Sequence, residues 1–259
     1  MLEVTDMAAS LEKIEQQTLL WERFLKDRDR KSREQIILSY VALVKYIAGR
    51  LAIFFKGYYE MDDLVSAGIP GLINAVDKYN PGRKVKFETF ASIKIRGAIL
   101  DWVRSFSWVP RSVYTESRRV EQAIASLEQS LGRSPGDEEV AGCLGVTIDE
   151  YRRMLEKIAP VTLLSLDSDR RQNQASGEFD RDSGTEGILE NITFEETKQE
   201  LADGISRLPE KEKLVVSLYY YDGLSLKEIG KVLGVTESRV SQLHTQAVLR
   251  LRRFLVVSG

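Results

Sequence analysis

Apolar residues recur along most of this chain at intervals of three and four. In LSYVALVKYIAGRLAIF, Val41, Val44, Ile47, Ala48 and Leu51 fall on one face of a helix. Asp62 through Tyr79 predicts a second helix, opened by acids that suit a positive N-terminal dipole and closed by the turn Asn80-Pro81-Gly82. Pro70 lies inside it and predicts a kink or break between Gly68 and Gly71, because an interior proline removes a hydrogen bond and crowds the preceding turn. A third helix is predicted from Glu88 to Phe106, ending ahead of Trp108-Val109-Pro110, since a residue before proline avoids helical angles. On it Ala91, Ile95, Ala98, Ile99, Trp102 and Phe106 share one arc and predict core. Phe90, Lys94, Gly97 and Arg104 cluster opposite, and Arg96 lies apart from both groups. Period-two alternation bounded by turns is nearly absent, so the expectation is an all-α chain.

Composition bounds what these helices build. With 259 residues, 43% hydrophobic and 29% charged, the chain is long enough for two or more compact domains. Helical pattern runs to about Arg111, resumes from Ser112 to Ile158, and returns from Ile205 to Leu255. Between the last two lies LSLDSDRRQNQASGEFDRDSGTEG, too poor in large apolar groups to offset the entropy of ordering its backbone, which predicts a linker or partner-ordered segment. One cysteine, Cys143, and one histidine, His244, exclude an internal disulfide and any Cys/His metal cluster, so no metal and no cofactor are expected. No signal-peptide pattern opens the chain, and no stretch nears the roughly 20 apolar residues of a membrane span. A cytoplasmic protein without a membrane partner is expected.

Net charge is only -2, but it is segregated. Asn80–Val120 holds nine Lys/Arg against three Asp/Glu; Pro160–Gly204 reverses this with eleven acids against four bases; Ile205–Gly259 carries nine bases against five acids. Two basic blocks therefore flank an acidic one.

The tetrapeptide LGVT occurs twice, in EEVAGCLGVTIDEYRRML and in KEIGKVLGVTESRVSQL. In the second copy a helix from Ser225 is predicted to end at Gly234, which supplies the positive φ of a sharp turn, and another to start at Thr236, whose hydroxyl can cap it. That is a helix-turn-helix, packed through Ile229, Leu233, Val235, Val240 and Leu243, with Gly230 at the close crossing. Glu237, Ser238, Arg239, Ser241, Gln242 and His244 are then expected to face outward, the short polar and Arg side chains that read base edges in a major groove. Arg250, Arg252 and Arg253 follow as candidate phosphate contacts. The first copy keeps the packing positions Val140, Leu144, Val146 and Tyr151 but presents Ile148, Asp149 and Glu150, and acids repel phosphate. One unit thus reads as a DNA reader and the other as a packing module; a purely structural tri-helical unit is the alternative for each.

KVKFETFASIKIRGAILDWVRSFSWVPRS interleaves Phe87, Phe90, Trp102, Phe106 and Trp108 with Lys86, Lys94, Arg96, Arg104 and Arg111. Rings stack on bases while cations neutralise the backbone, a composition that suits single-stranded nucleic acid. Trp102 is expected to pack and Phe90 to be the better candidate for a base contact. An amphipathic helix with a solvated basic face is the competing reading.

DDLVSAGIPGLINAVDKYNP, KFETFASIKIRGAILDWVRS, WVPRS and LPEKEKLVVSLYYYDGLSLKEIGKVLGVTESRVSQLHTQAVLRLR, in that order, resemble bacterial RNA polymerase sigma factors of the flagellar and sporulation class, over roughly Leu20 to Leu255. The resemblance implies three small helical domains joined by linkers: sigma domain 2 over 1–111, domain 3 over 112–160, an acidic linker or finger over 161–200, and domain 4 over 201–259. It implies core RNA polymerase (the β′ coiled coil and β flap) and promoter DNA as partners, an anti-sigma factor as a possible one, and association with the nucleoid through polymerase. Asp62, Asp63, Leu64, Gly68, Gly71, Leu72, Ala75 and Lys78 match the polymerase-docking helix. Lys86, Phe87, Phe90, Lys94, Arg96, Arg104, Trp108, Arg111, Arg118 and Arg119 match the minus-10 and melting region. Thr236, Glu237, Ser238, Arg239, Ser241, Gln242, His244 and Arg250 match the minus-35 reader. Where primary sigmas carry two adjacent tryptophans this chain has Ile93 and Lys94, which implies less stacking and stricter promoter requirements. The acidic finger, by the same resemblance, runs toward the polymerase active centre, where its acids can occupy a channel built for nucleic acid.

Two other classes stand beside this reading. A free-standing helix-turn-helix regulator needs a dimer seam or ligand pocket, and the sequence shows neither a heptad run nor a convergent polar set. An enzyme needs a phosphate loop, metal set or nucleophile–base pair, and none is recognisable.

Overall fold

The computed structural model describes residues 18–83, 85–106, 109–174 and 198–258; among these every regular element is helical and there is no strand. In chain order they are α1 (18–27), α2 (Arg30–Ser39), α3 (Val41–Ala52), α4 (Met61–Lys78), α5 (Phe87–Ser105), α6 (Arg111–Leu131), α7 (Asp137–Leu144), α8 (Ile148–Gln174), α9 (198–206), α10 (Glu210–Tyr220), α11 (Leu226–Leu233) and α12 (Glu237–Ser258). They form two compact units, one comprising residues up to 106 save 53–55 and the other the remainder.

In the first unit the apolar stripe of α3 is buried at Val44, Ile47, Ala48 and Leu51. The apolar run Arg30–Phe55 is long enough by composition to cross a membrane, contrary to the sequence expectation. The chain breaks it at Tyr40 between α2 and α3, and these buried side chains make the stripe a core surface. α4 is continuous through Pro70, so the expected break does not occur. Pro70 faces solvent, where water can serve the carbonyl it leaves without a helical partner, while the opposite side of α4 is clamped on α5. The clamp needs glycine: a Cβ at Gly71 would lie 2.6 Å from the Lys94 carbonyl oxygen and 2.8 Å from the Ala98 Cβ, and one at Gly68 2.7 Å from the Val44 side chain.

α5 buries Phe87, Ala91, Ile95, Ile99, Leu100 and Val103. Ala98 and Trp102 are only half-buried and Phe106 is exposed, so the inward arc is rotated from the predicted one toward Leu100 and Val103. Phe87 is the hub of an aromatic cluster, with ring centroids 4.7 Å from Trp21, 4.6 Å from Tyr40 and 5.2 Å from Tyr79. Tyr40 donates to the Glu88 carboxylate at 2.9 Å. Arg33 forks onto Asp77 at 2.6 and 2.8 Å, tying α2 to α4.

In the second unit both LGVT turns fold alike. α7 ends at Gly145 and α11 at Gly234, with φ of 69° and 65°, the left-handed conformation that favours glycine. Ser225 and Glu228 form a capping box on α11, and Thr147 and Glu150 exchange equivalent bonds at the start of α8. α8 extends to Gln174 with Pro160 inside, so the first part of the predicted linker is helical, with Leu163 and Leu164 buried. Residues 175–197 of that linker, with most of its acids, lie outside the described residues. The modules α6–α8 and α9–α12, expected as separate domains, share one compact unit. Leu249 of α12 sits in the same buried cluster as Val120, Ile124, Tyr151 and Leu155.

Gly71→Ala should force α4 from α5 and lower stability by about 1–3 kcal/mol, whereas Pro70→Ala should raise it, proline costing up to about 3 kcal/mol in a helix interior. Thermal unfolding followed by circular dichroism checks both.

Candidate nucleic-acid interface

Two surfaces of opposite accessibility carry the predicted contacts. On α5, Lys86 is exposed and Phe90 and Lys94 are half-buried one and two turns further on, so the three lie along one side of the helix. The Lys94 ammonium sits 5.5 Å from the Phe90 ring centroid, and Phe90 is 6.1 Å from Tyr79. Tyr79 also lines a cleft of about 460 Å³ with Trp21, Tyr40, Lys86 and Glu88, an aromatic slot with a charged rim that the sequence reading missed because its walls come from α1, from Tyr40 between α2 and α3, and from residues 79–88. Phe87 is 4% exposed, so it supports the slot from the core and is not a surface contact. Arg96 is half-buried and Arg104 is bound to Asp101 at 2.8 Å. Arg111 and Arg118 are exposed on α6; Arg119 donates to the Leu144 carbonyl at 2.6 Å, closing the end of α7. Trp108 lies outside the described residues.

The polymerase-docking set divides in the same way. Asp62, Asp63 and Lys78 are exposed on α4, but Leu64, Gly68, Gly71, Leu72 and Ala75 are buried in the unit. These five place α4 and cannot themselves meet a partner. The exposed face of α4 is Asp63, Ser66, Pro70, Asn74 and Asp77.

The second surface is α12, and it departs most from expectation. Ser241, Gln242 and His244, predicted to face outward, are 6%, 7% and 2% exposed. Glu237 and Ser238 remain exposed, and Thr236 serves as the cap, accepting the Arg239 N–H at 3.2 Å. A polar face this deeply buried needs partners, and most of its donors find them. Arg239 pairs with Asp137 at 2.8 Å. Gln242 donates to Glu156 at 2.9 Å, and Ser238 donates to the same carboxylate oxygen. Gln246 donates to Asp137 at 2.8 Å and to the Tyr151 hydroxyl at 3.1 Å. His244 Nε2 shares a hydrogen bond of 3.1 Å with the Tyr220 hydroxyl and packs edgewise on Tyr219.

The arginines read as phosphate contacts are likewise engaged. Arg250, 6% exposed, is bound to the Glu212 carboxylate of α10 and donates to the Pro135 carbonyl at 2.7 Å. Arg253 pairs with Glu128 at 2.8 Å, and Arg252 lies 3.4 Å from Glu121. Burial pushes the Glu212 carboxyl up to about 7, against the opposing pull of Arg250.

An all-α scaffold carrying a basic, aromatic helix and two helix-turn-helix turns defines a multi-module DNA-binding protein. Three family profiles match it: Sigma-70 region 2 over residues 36–109, Sigma-70 region 3 over 115–189 and Sigma-70, region 4 over 204–253. The chain belongs to the sigma-70 family, in its flagellar class, and is an alternative sigma factor that directs promoter-specific transcription. It is 47% identical over 214 residues to RNA polymerase sigma factor FliA of Escherichia coli (strain K12), spanning 82% of this chain and 90% of that one. It is 37% identical over 241 residues to the RNA polymerase sigma-D factor of Bacillus subtilis (strain 168), spanning 92% and 94%. Among solved structures, the flagellar sigma chain of the Sigma-28/FlgM sigma/anti-sigma cocrystal matches with a TM-score of 0.58 and 36% identity, over 89% of this chain and 98% of that one.

Glu212 takes up its proton more readily in the folded chain than in the unfolded one. Between its ordinary value near 4.5 and its folded value of about 7, rising pH ionises the unfolded chain first and lowers stability. Wild type should therefore lose melting temperature relative to Glu212→Gln as pH rises from 5 to 7, with the difference constant above that; melting curves of both proteins across this range check it.

Proposed function

We propose that the chain binds core RNA polymerase through the exposed face of α4, holds the non-template strand of the minus-10 element on α5, and reads the minus-35 element with α12. The observation that carries the proposal is the line Lys86, Phe90 and Lys94 beside the cleft floored by Tyr79 and Trp21. An accessible ring next to an aromatic slot with cations on its rim suits an extruded base and its phosphate, and such stacking is worth about 1–3 kcal/mol per base. Arg111 and Arg118 are exposed on α6 and are candidate phosphate contacts of the second unit. The chain supplies specificity and no chemistry of its own; the phosphoryl transfer belongs to polymerase. It works in the cytoplasm, on the nucleoid. The likeness to a sigma chain solved with FlgM supports an anti-sigma factor as a further partner.

In transcription with reconstituted holoenzyme, Phe90→Ala should slow open-complex formation about 5- to 150-fold while leaving the fold intact. Phe87→Ala should instead lower the melting temperature, because Phe87 is core. Asn74→Lys should weaken binding to core polymerase, measured by co-purification, without changing thermal stability, since its side chain is on the exposed face of α4; unchanged binding would move the docking surface off α4.

A further inference from the structure

Helix α6 sorts its charges by face. Its three acids all turn toward other helices: Glu116 pairs with Lys157 of α8, while Glu121 and Glu128 pair with Arg252 and Arg253 of α12 at 3.4 and 2.8 Å. Arg119 is engaged as well, donating to the Leu144 carbonyl. The first two turns leave Arg111, Tyr114, Thr115 and Arg118 outside, all exposed, at intervals that place them on one side of the helix. The Thr115 hydroxyl is satisfied by the Arg111 carbonyl at 3.1 Å. No acid stands in the first turn, so the positive end of the helix dipole adds to the two cations, and the face is complementary to phosphate. Its spacing suits a duplex: from Arg111 to Arg118 is about 10 Å along the axis, and a major groove is about 12 Å wide. Two guanidinium groups on the lips of such a groove leave Tyr114, 48% exposed, between them and aimed at the base edges.

We propose that Tyr114 is a specificity-determining residue that reads a thymine in the duplex between the two promoter elements, with Arg111 and Arg118 on the flanking phosphates. The inference rests on the reading of those two arginines as phosphate contacts. The duplex between the elements is its place because α6 follows the minus-10 helix α5 and precedes the minus-35 helix α12 in the chain. Thymine is the base because a phenol sets a hydroxyl donor beside an apolar ring edge. In the major groove only thymine presents a methyl group next to an acceptor, O4; guanine shows two acceptors, adenine an acceptor and an amine, and cytosine an amine. A protein partner fits the face less well, since a single ring among cations is too little apolar surface for the core of a protein interface.

The test uses holoenzyme reconstituted with the full-length chain and a promoter that it transcribes. Thymines between the two elements, on either strand, are replaced one at a time by uracil, which lacks only the methyl group. Initiation by the wild type should fall about fourfold at one position, the effect of losing one buried methyl contact. Tyr114→Ala should lower initiation on the unmodified promoter and abolish the response to uracil, whereas Tyr114→Phe, which keeps the ring, should retain that response. Both side chains are exposed, so Tyr114→Ala and Arg118→Ala should melt with the wild type. Absence of a uracil response at every position overturns the assignment, as does a response that persists in Tyr114→Ala. Weaker co-purification of Tyr114→Ala with core polymerase, without any uracil response, overturns it too and gives the face to a protein contact. Arg118→Ala separates this from failure of the underlying reading: it should weaken initiation alike on every promoter variant and reduce the salt slope by about one. If it changes neither, α6 does not lie on DNA; if it changes both while uracil has no effect, the phosphate contacts stand and the role of Tyr114 falls.

Discussion

The burial of the polar face of α12 is the constraint on which the second unit is organised. Where the residues from Val240 to Arg250 are all buried, Gln242, His244, Gln246 and Arg250 need partners, since each unmet polar group would cost as much as a good hydrogen bond contributes. The unit answers with Asp137, Glu156, Glu212, Tyr151 and Tyr220, drawn from three other helices, α7, α8 and α10. That requirement fixes where α7 begins relative to α12, why α10 carries a buried glutamate, and why α6–α8 and α9–α12 form one body.

The first unit depends on a close approach of a different kind. Gly68 and Gly71 let α4 settle on α5 nearly backbone to backbone, and the side chains thereby excluded from the seam leave acids and Pro70 on the outer face. The same seam fixes the rotation of α5, turning Phe87 inward as the hub of an aromatic cluster and Phe90 to the rim one turn away. Two phenylalanines three residues apart therefore differ in role, one as support and one as surface.

For a promoter-specificity subunit these arrangements have complementary consequences. The side of α5 that carries Phe90 and Lys94 stays partly open to solvent, with Lys86 exposed just ahead of it. On α12, by contrast, Arg239, Gln242 and Gln246 are engaged by the carboxylates of Asp137 and Glu156. The pairing of Arg239, Arg250, Arg252 and Arg253 on α12 agrees with a net charge close to zero in a chain whose basic residues are segregated in sequence.

Much of this was legible from the chain. Helical period, the helix start at Ser225, the cap at Thr236, the glycine at 234 and the proline that follows Trp108 and Val109 are local signals, because they concern residues within one or two turns of each other; they located α4, α5 and the second helix-turn-helix closely. The motif order gave the family. Periodicity can say that a helix has a polar face but not whether that face meets water, and there the reading of Ser241, Gln242, His244 and Arg250 as outward failed. Their partners lie 24 to 115 residues away, and no local pattern records a contact of that span. The same holds for Leu72 and its neighbours, matched to a docking surface yet buried by packing against elements distant in sequence. Sequence by itself determined the helices, their caps and the kind of protein they make, since those rest on short-range geometry and motif; only the tertiary structure decided which faces are open, because burial is a property of what else the chain brings to the same place.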